Sequence, residues 1–198
     1  MSKPITPRFQ TNETTPVYLK MKEFMKSVVT GWRSVADDKS RVGVQLFSEA
    51  CSLTTDYNLN LVKRIGDSNN DTASYIESID YLCGDPWLDW ALRCTDRKVL
   101  TSSAGDRPGI PNVIVALVSA IPRSFRPTNF LLSRLSSNIK RKGSTIIAVS
   151  ATPPSQMSAL SRQKHEEMMR TLSCQRSSGH CPTYIGSIWD GGSPAQRI

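Results

Sequence analysis

The sequence predicts an open α/β domain in which a mostly parallel sheet lies between helical layers. Three observations lead there. Apolar residues recur at helical spacing in several separate segments, short apolar runs (Val113 to Val118 and Thr145 to Val149) alternate with them, and Gly/Pro-rich connections divide them. At 198 residues the chain suits one well-buried core and is short for two.

The elements follow in order. Residues 1–15 form a polar lead, residues 16–173 the folded domain and residues 174–198 a Ser/Gly/Pro-rich tail expected to be irregular. Thr15 as N-cap and Pro16 at the first helical position open a helix with Val17, Met21, Phe24, Val28 and Trp32 on one face. Alternating Val42, Val44 and Leu46 predict a strand, which a short turn carries into the β-rich run CSLTTDYNL as an edge hairpin. Asn70 and Asp71 supply a cap for a helix bearing Ile76, Ile79 and Leu82. Beyond the loop CGDPW, a second helix presents Leu88, Ala91, Leu92, Thr95 and Val99.

The connection SAGDRPGIP then leads into Val113 to Val118, a continuous apolar run of the kind covered on both faces, and the best candidate for a central strand. Pro127 opens a helix with Leu131, Leu132, Leu135 and Ile139 inward, and Gly143 stops it before the buried strand Thr145 to Val149. A last helix is expected from Pro154 to Leu172, with Met157, Leu160, Met168 and Leu172 as its apolar stripe and Lys164 interrupting it. Neither a solenoid repeat nor a heptad array is present.

Net charge is +8 with pI near 9.4, which favours anionic partners without choosing among them. The cations are scattered. Their densest cluster, Lys140, Arg141 and Lys142, falls at a helix C-terminus, where positive charge offsets the helix dipole. No aromatic platform is interleaved with them, so nucleic acid is not the expected partner, and binding to a polyanion stands only as an alternative. Five cysteines (Cys51, Cys83, Cys94, Cys174 and Cys181) are odd in number and form no C-x-x-C pair, so they cannot all pair within the chain, and the redox compartment stays open. The start, MSKPITPRFQTNETTP, has no apolar core of a secretory signal, and no stretch approaches the roughly 18 apolar residues of a membrane span. The sequons at Asn12 and Asn70 are weak support for a secretory setting.

The segment from Tyr18 to Ala120 resembles von Willebrand factor type A (vWA) domains of the collagen VI (alpha-4-like) and matrilin type. The likeness lies in VYLKMKEFMKSVV, SRVGVQLFSEA, IESIDYLCG and above all LTSSAGDRPGIPNVIVALV. It implies an open, mostly parallel, Rossmann-like sheet with helices on both faces and a ligand face at the carboxyl ends of the strands. It further implies a non-enzymatic interaction or adhesion module with a protein partner, a matrix protein among the candidates. The implied setting is the extracellular matrix; with no signal in the chain, the cytoplasm is the alternative.

Members of the family with a working adhesion site hold a divalent cation through D-x-S-x-S, a Thr and an Asp on three loops. Here RFQTNETTP lacks the first, and Pro86 in Gly84-Asp85-Pro86-Trp87-Leu88-Asp89 replaces the Thr. Val118-Ser119-Ala120 replaces the Asp with a neutral hydroxyl. The resemblance therefore implies a degenerate site, with no metal and no cofactor. The first central strand of the family is missing or replaced: Ile5 to Phe9 falls where it belongs, but Pro4 and Pro7 remove ladder donors. Such a domain is completed by another chain, or is a marginally folded remnant (pseudogene-like or a splice product).

On this reading the loop-face binding residues are Asp85, Trp87, Asp89 and Ser119. Trp87 and Trp90 are either interface anchors or packed under the loop. Asp85 and Asp89, beside Pro86 and the two tryptophans, read as loop and cap residues rather than an acid pair. Cys174, His180 and Cys181 lack a fourth zinc ligand at workable spacing. With no phosphate loop and no G-x-S-x-G elbow, no enzymatic activity is expected.

Overall fold

A computed structural model describes residues 14–31, 41–47, 61–63, 69–79, 88–118, 130–174 and 184–189. Its core is a parallel sheet of β3 (Val113–Val118), β4 (Thr145–Ser150) and β5 (Tyr184–Ser187), in the order β3-β4-β5. β1 (Val44–Gln45) and β2 (Leu61–Lys63) form a separate antiparallel pair. Five α-helices are described: α1 (Thr14–Gly31), α2 (Asn69–Ser78), α3 (Leu88–Cys94), α4 (Phe130–Arg141) and α5 (Ala159–Ser173).

The period-2 alternation of a strand decides which helix covers which face. β3 and β4 pair without a slip from Val113 with Thr145 to Val118 with Ser150. Their even-numbered side chains Ala116, Val118, Ile146 and Ala148 share a buried cluster with Leu88 and Leu92 of α3, Leu132 and Ile139 of α4, and Met168, Met169 and Leu172 of α5. The odd-numbered Val115, Leu117, Ile147 and Val149 meet Phe24 and Val28 of α1. Helices thus cover both faces, as the sequence predicts. A second cluster joins Val44 of β1 to Val29 of α1 and to Ile76 and Ile79. There Tyr18 Oη donates to the Ile79 carbonyl at 2.9 Å, and Lys22 Nζ to the Glu77 carbonyl at 2.7 Å.

Leu88, Ala91, Leu92, Thr95 and Val99 are all buried, as their spacing predicts. The backbone beneath them changes after Cys94, where α3 continues as a π-helical turn, Thr95–Val99, closed by the Leu100 amide on the Thr95 carbonyl at 2.9 Å. Gly143 ends α4 in the left-handed region at φ 86, a conformation open to a residue without a Cβ.

Five expectations are corrected. The last helix does not begin at Pro154: a 3-10 turn, Pro154–Gln156, precedes α5, whose N-cap Ser158 accepts the Ser161 amide at 3.2 Å. Leu160, expected inward, is 62% exposed, because the buried stripe of α5 is His165, Met168, Met169 and Leu172, and Leu160 stands about 140° around the helix from His165. Leu131 is 37% exposed beside the buried Leu132. The tail expected to be irregular contributes β5, which pairs in parallel with β4. Finally, β4 and not β3 is the central strand among the described residues: β4 is buried from Ile146 to Ser150, while β3 pairs on one side only and leaves Val113 46% exposed. Trp32, Leu82, Pro127 and the run CSLTTDYNL lie outside the described residues.

Candidate functional site

In a parallel sheet the helix after each strand begins at the strand's carboxyl end, so helix N-termini and strand ends gather on one edge. Here the edge holds Val118, Ser150 and Ser187 at the strand ends, with Phe130 and Leu131 in the first turn of α4 and Ala159 and Leu160 in that of α5. The first turn of α3 joins them, since Leu88 packs in the cluster that contains Val118. Asp89 in that turn is half-buried, at a helix start where a carboxylate suits the dipole. The other three residues expected on this face, Asp85, Trp87 and Ser119, lie outside the described residues. Trp90 is half-buried, with the Arg93 guanidinium carbon 4.9 Å from its ring centroid, a cation–π stack that holds both side chains.

Two further residues occupy the edge. Trp189, just beyond β5, donates its indole N–H to the Ala151 carbonyl at 2.8 Å. His165, one residue of the α5 stripe, places Nε2 2.9 Å from Ser150 Oγ. Both partners of that pair are buried, at 1% and 4% exposure. The Ser150 hydroxyl faces the Thr152 carbonyl at 3.4 Å, which assigns its proton there and makes His165 Nε2 the donor. Nδ1 is then a buried acceptor with no partner. Burial lowers the His165 pKa by disfavouring the imidazolium, with the Glu166 carboxylate pulling weakly the other way. A serine and histidine in contact suggest nucleophilic chemistry, but among the described residues no third group orients this ring, and both side chains are buried. Its spacing with Met168, Met169 and Leu172 was the only mark of it in the sequence.

The basic cluster at the end of α4 has structural partners. Lys140 Nζ donates to the Cys174 carbonyl at 2.9 Å at the end of α5, and burial pushes its pKa down to about 8. Lys142 Nζ pairs with Asp96 Oδ1 at 2.6 Å, and Arg141 bonds Asn138. Cys94 and Cys174 are each disulfide-bonded. Among the described residues no three His, Cys, Asp or Glu side chains gather as a metal site would need. The described edge carries the Asp89 carboxylate and the Ser150 and Ser187 hydroxyls, of which that of Ser150 is engaged by His165. Nor is any described helix long and apolar enough to cross a membrane.

The sequence model of the von Willebrand factor type A domain matches residues 12–189. The chain belongs to that family. Solved structures agree on the fold of this vWA domain: proximal thread matrix protein 1 from the mussel byssus superposes with a TM-score of 0.66 at 13% identity, over 94% of this chain and 40% of that one. A second crystal form of that protein gives a TM-score of 0.65, and a third structure, described as having a zinc-occupied MIDAS motif, gives 0.66, both at 13% identity over 94% of this chain and 41% of that one. The domain therefore spans about two-fifths of the mussel protein's length. No curated protein matches the chain.

Proposed function

We propose that this vWA domain is a non-enzymatic, metal-independent interaction module of the collagen VI kind, which binds a matrix protein through the carboxyl edge of its sheet. The observation that carries the reading is the character of that edge: Phe130 is 67% and Leu160 62% exposed on the first turns of α4 and α5. A cation-dependent face presents oxygen ligands, whereas exposed aromatic and aliphatic side chains on rigid helix starts are the material of interface anchors. Asp89 is described at the start of α3, and the reading assigns Asp85, Trp87 and Ser119 to the same binding face from the family resemblance alone. The buried Ser150–His165 pair argues against catalysis, and the disulfides at Cys94 and Cys174 favour an oxidising, extracellular setting.

Binding of the purified chain to surfaces coated with collagen VI or fibrillar collagen tests the proposal. Binding should be indifferent to EDTA and weaken about tenfold or more in Phe130→Asp or Leu160→Asp. Binding abolished by EDTA, or untouched by both substitutions, contradicts it.

A further inference from the structure

Acidic and basic residues are not evenly mixed along this chain. Between Asp106 and Glu166 there is no Asp or Glu, while Lys and Arg recur throughout, and α4 lies within that stretch. The net charge of +8 is thus concentrated in the C-terminal half.

The fold gathers much of it at one end. α4 packs against both α3 and α5, and printed bonds join the three helix ends. Lys142 Nζ, just past α4, pairs with Asp96 Oδ1 at 2.6 Å in the π-helical turn that continues α3. Lys140 Nζ bonds the carbonyl of Cys174, the C-cap of α5, at 2.9 Å. All three helices therefore run the same way and finish at the amino edge of the sheet, where β4 begins. The 12 residues of α4 set this edge about 18 Å from the first turns that expose Phe130 and Leu160.

Along the amino edge the cations form a line. Arg97 and Lys98 stand in the turn after α3, Lys142 bridges to α4, Arg141 ends α4, Lys140 bridges to α5, and Arg170 lies in the last turn of α5. Helix axes in contact lie about 8–10 Å apart, so the line spans about 20 Å. Arg97, Arg141, Lys142 and Arg170 are exposed, and Arg97, Lys98, Arg141 and Arg170 meet no carboxylate among the described residues. Helix C-termini draw cations on their own account, but three macrodipoles bring only about −1.5 elementary charges. Asp96 and Asp106, on the loop that follows, bring two more, so six cations leave an excess of about two to three positive charges facing solvent.

We infer that the amino edge of the α3–α4–α5 layer is a binding surface for a sulfated glycosaminoglycan chain. A line of fixed cations matches a polymer with anions at a regular repeat better than it matches a single small anion, and the guanidinium fork pairs oxyanions two bonds at a time. Among the described residues no exposed aromatic ring stands in the line, so bases would have nothing to stack on, which disfavours single-stranded nucleic acid. Cys94, next to the π-helical turn, and Cys174, at the end of α5, are each disulfide-bonded, which sets the line in an oxidising, extracellular environment, where sulfated polysaccharides are the polyanions at hand. The surface lies at the opposite end from the loop face, so it stands or falls separately from the protein partner proposed there.

The test is calorimetric titration of the full chain with a heparin octasaccharide. The unmodified chain should bind, with log K falling against log salt at a slope of about −3 or steeper as counterions are released. Arg97→Gln, Arg141→Gln and Arg170→Gln together remove outward charges and leave the Lys140 and Lys142 bonds in place, and they should weaken binding about tenfold or more. Lys20→Gln, Arg41→Gln and Arg162→Gln together lower the net charge equally elsewhere and should weaken it less than about threefold. If the first triple variant fails to fold, NMR titration of the unmodified chain decides: the amide signals of Lys98, Arg141, Lys142 and Arg170 should shift, and those of Phe130 and Leu160 should not. No binding, or equal loss in the two triple variants, would overturn the inference, the latter by leaving only net charge at work. Tighter binding to duplex DNA or to phosphatidylserine vesicles than to the octasaccharide would overturn the choice of partner. Shifts confined to Phe130 and Leu160 would overturn the choice of edge.

Discussion

β3 and β4 are joined by a six-residue parallel ladder without a slip, and β5 adds to the far side of β4 with one irregularity between Val149 and Ser150, so that β4 is buried from Ile146 to Ser150, whereas β1 and β2 pair over a few residues with a register slip at Val44 and Gln45. The larger sheet is held by backbone and by clusters on both faces. The smaller pair keeps its place through side chains, chiefly Val29 of α1, Ile76 and Ile79 at α2, and the Gln45 contacts to Ala91 and Thr95. Among the described residues, then, the two sheets are tied together by helices that touch strands of both rather than by a ladder.

The comparison can be broken first in the larger sheet. Ile146→Ala, at a residue with 0% exposure, should cost about 2–5 kcal/mol and lower the urea midpoint of the whole chain. Ile76→Ala removes an equally buried side chain from the smaller region. Its main effect should be faster amide exchange in α2 and β1, with a global midpoint shift less than about half that of Ile146→Ala. Equal shifts would mean that the two regions unfold as one.

Acid should strain the larger region through His165. Its pKa is lower folded than unfolded, so the fold favours the neutral ring, and stability is lost as pH falls below the unfolded value of about 6.5 toward the folded one. Unfolding midpoints measured between pH 7.5 and 5.5 should fall, and His165→Gln should flatten that slope. A slope unchanged by the substitution would assign the pH dependence to other groups.

Gln45→Leu, which cuts the polar link between β1 and α3 but leaves Thr95 Oγ1 bonded to the Ala91 carbonyl, should cost about 1 kcal/mol. Smallest of all, Leu160→Ser on the exposed face of α5 should stay within about 0.5 kcal/mol.

Where a segment buries one continuous stripe, the sequence was readable. Leu88, Ala91, Leu92, Thr95 and Val99 declared their face by spacing, since burial and periodicity agree there, and the apolar run Val113–Val118 declared its strand but not how far it is covered. What periodicity does not encode is a strand's neighbours. An apolar run reads the same with a partner on one side or two, so β3 was expected at the centre that β4 occupies. β5 is short, contains Gly186 and lies in a polar tail, so its pairing with β4 arises from tertiary context. Of the expected loop-face residues Asp89 alone is described, and Trp189 and the His165–Ser150 pair came from packing that no local pattern announces.

Native-state hydrogen exchange under increasing denaturant separates a sheet held together by side chains across a break from one continuous sheet. If the break is real, the amides of β1 and α2 open together at a lower free energy than those of Ile147, Ala148 and Val149 in β4. A single opening free energy shared by β1, α2 and β4 would contradict it, showing that backbone joins the two regions into one cooperative sheet.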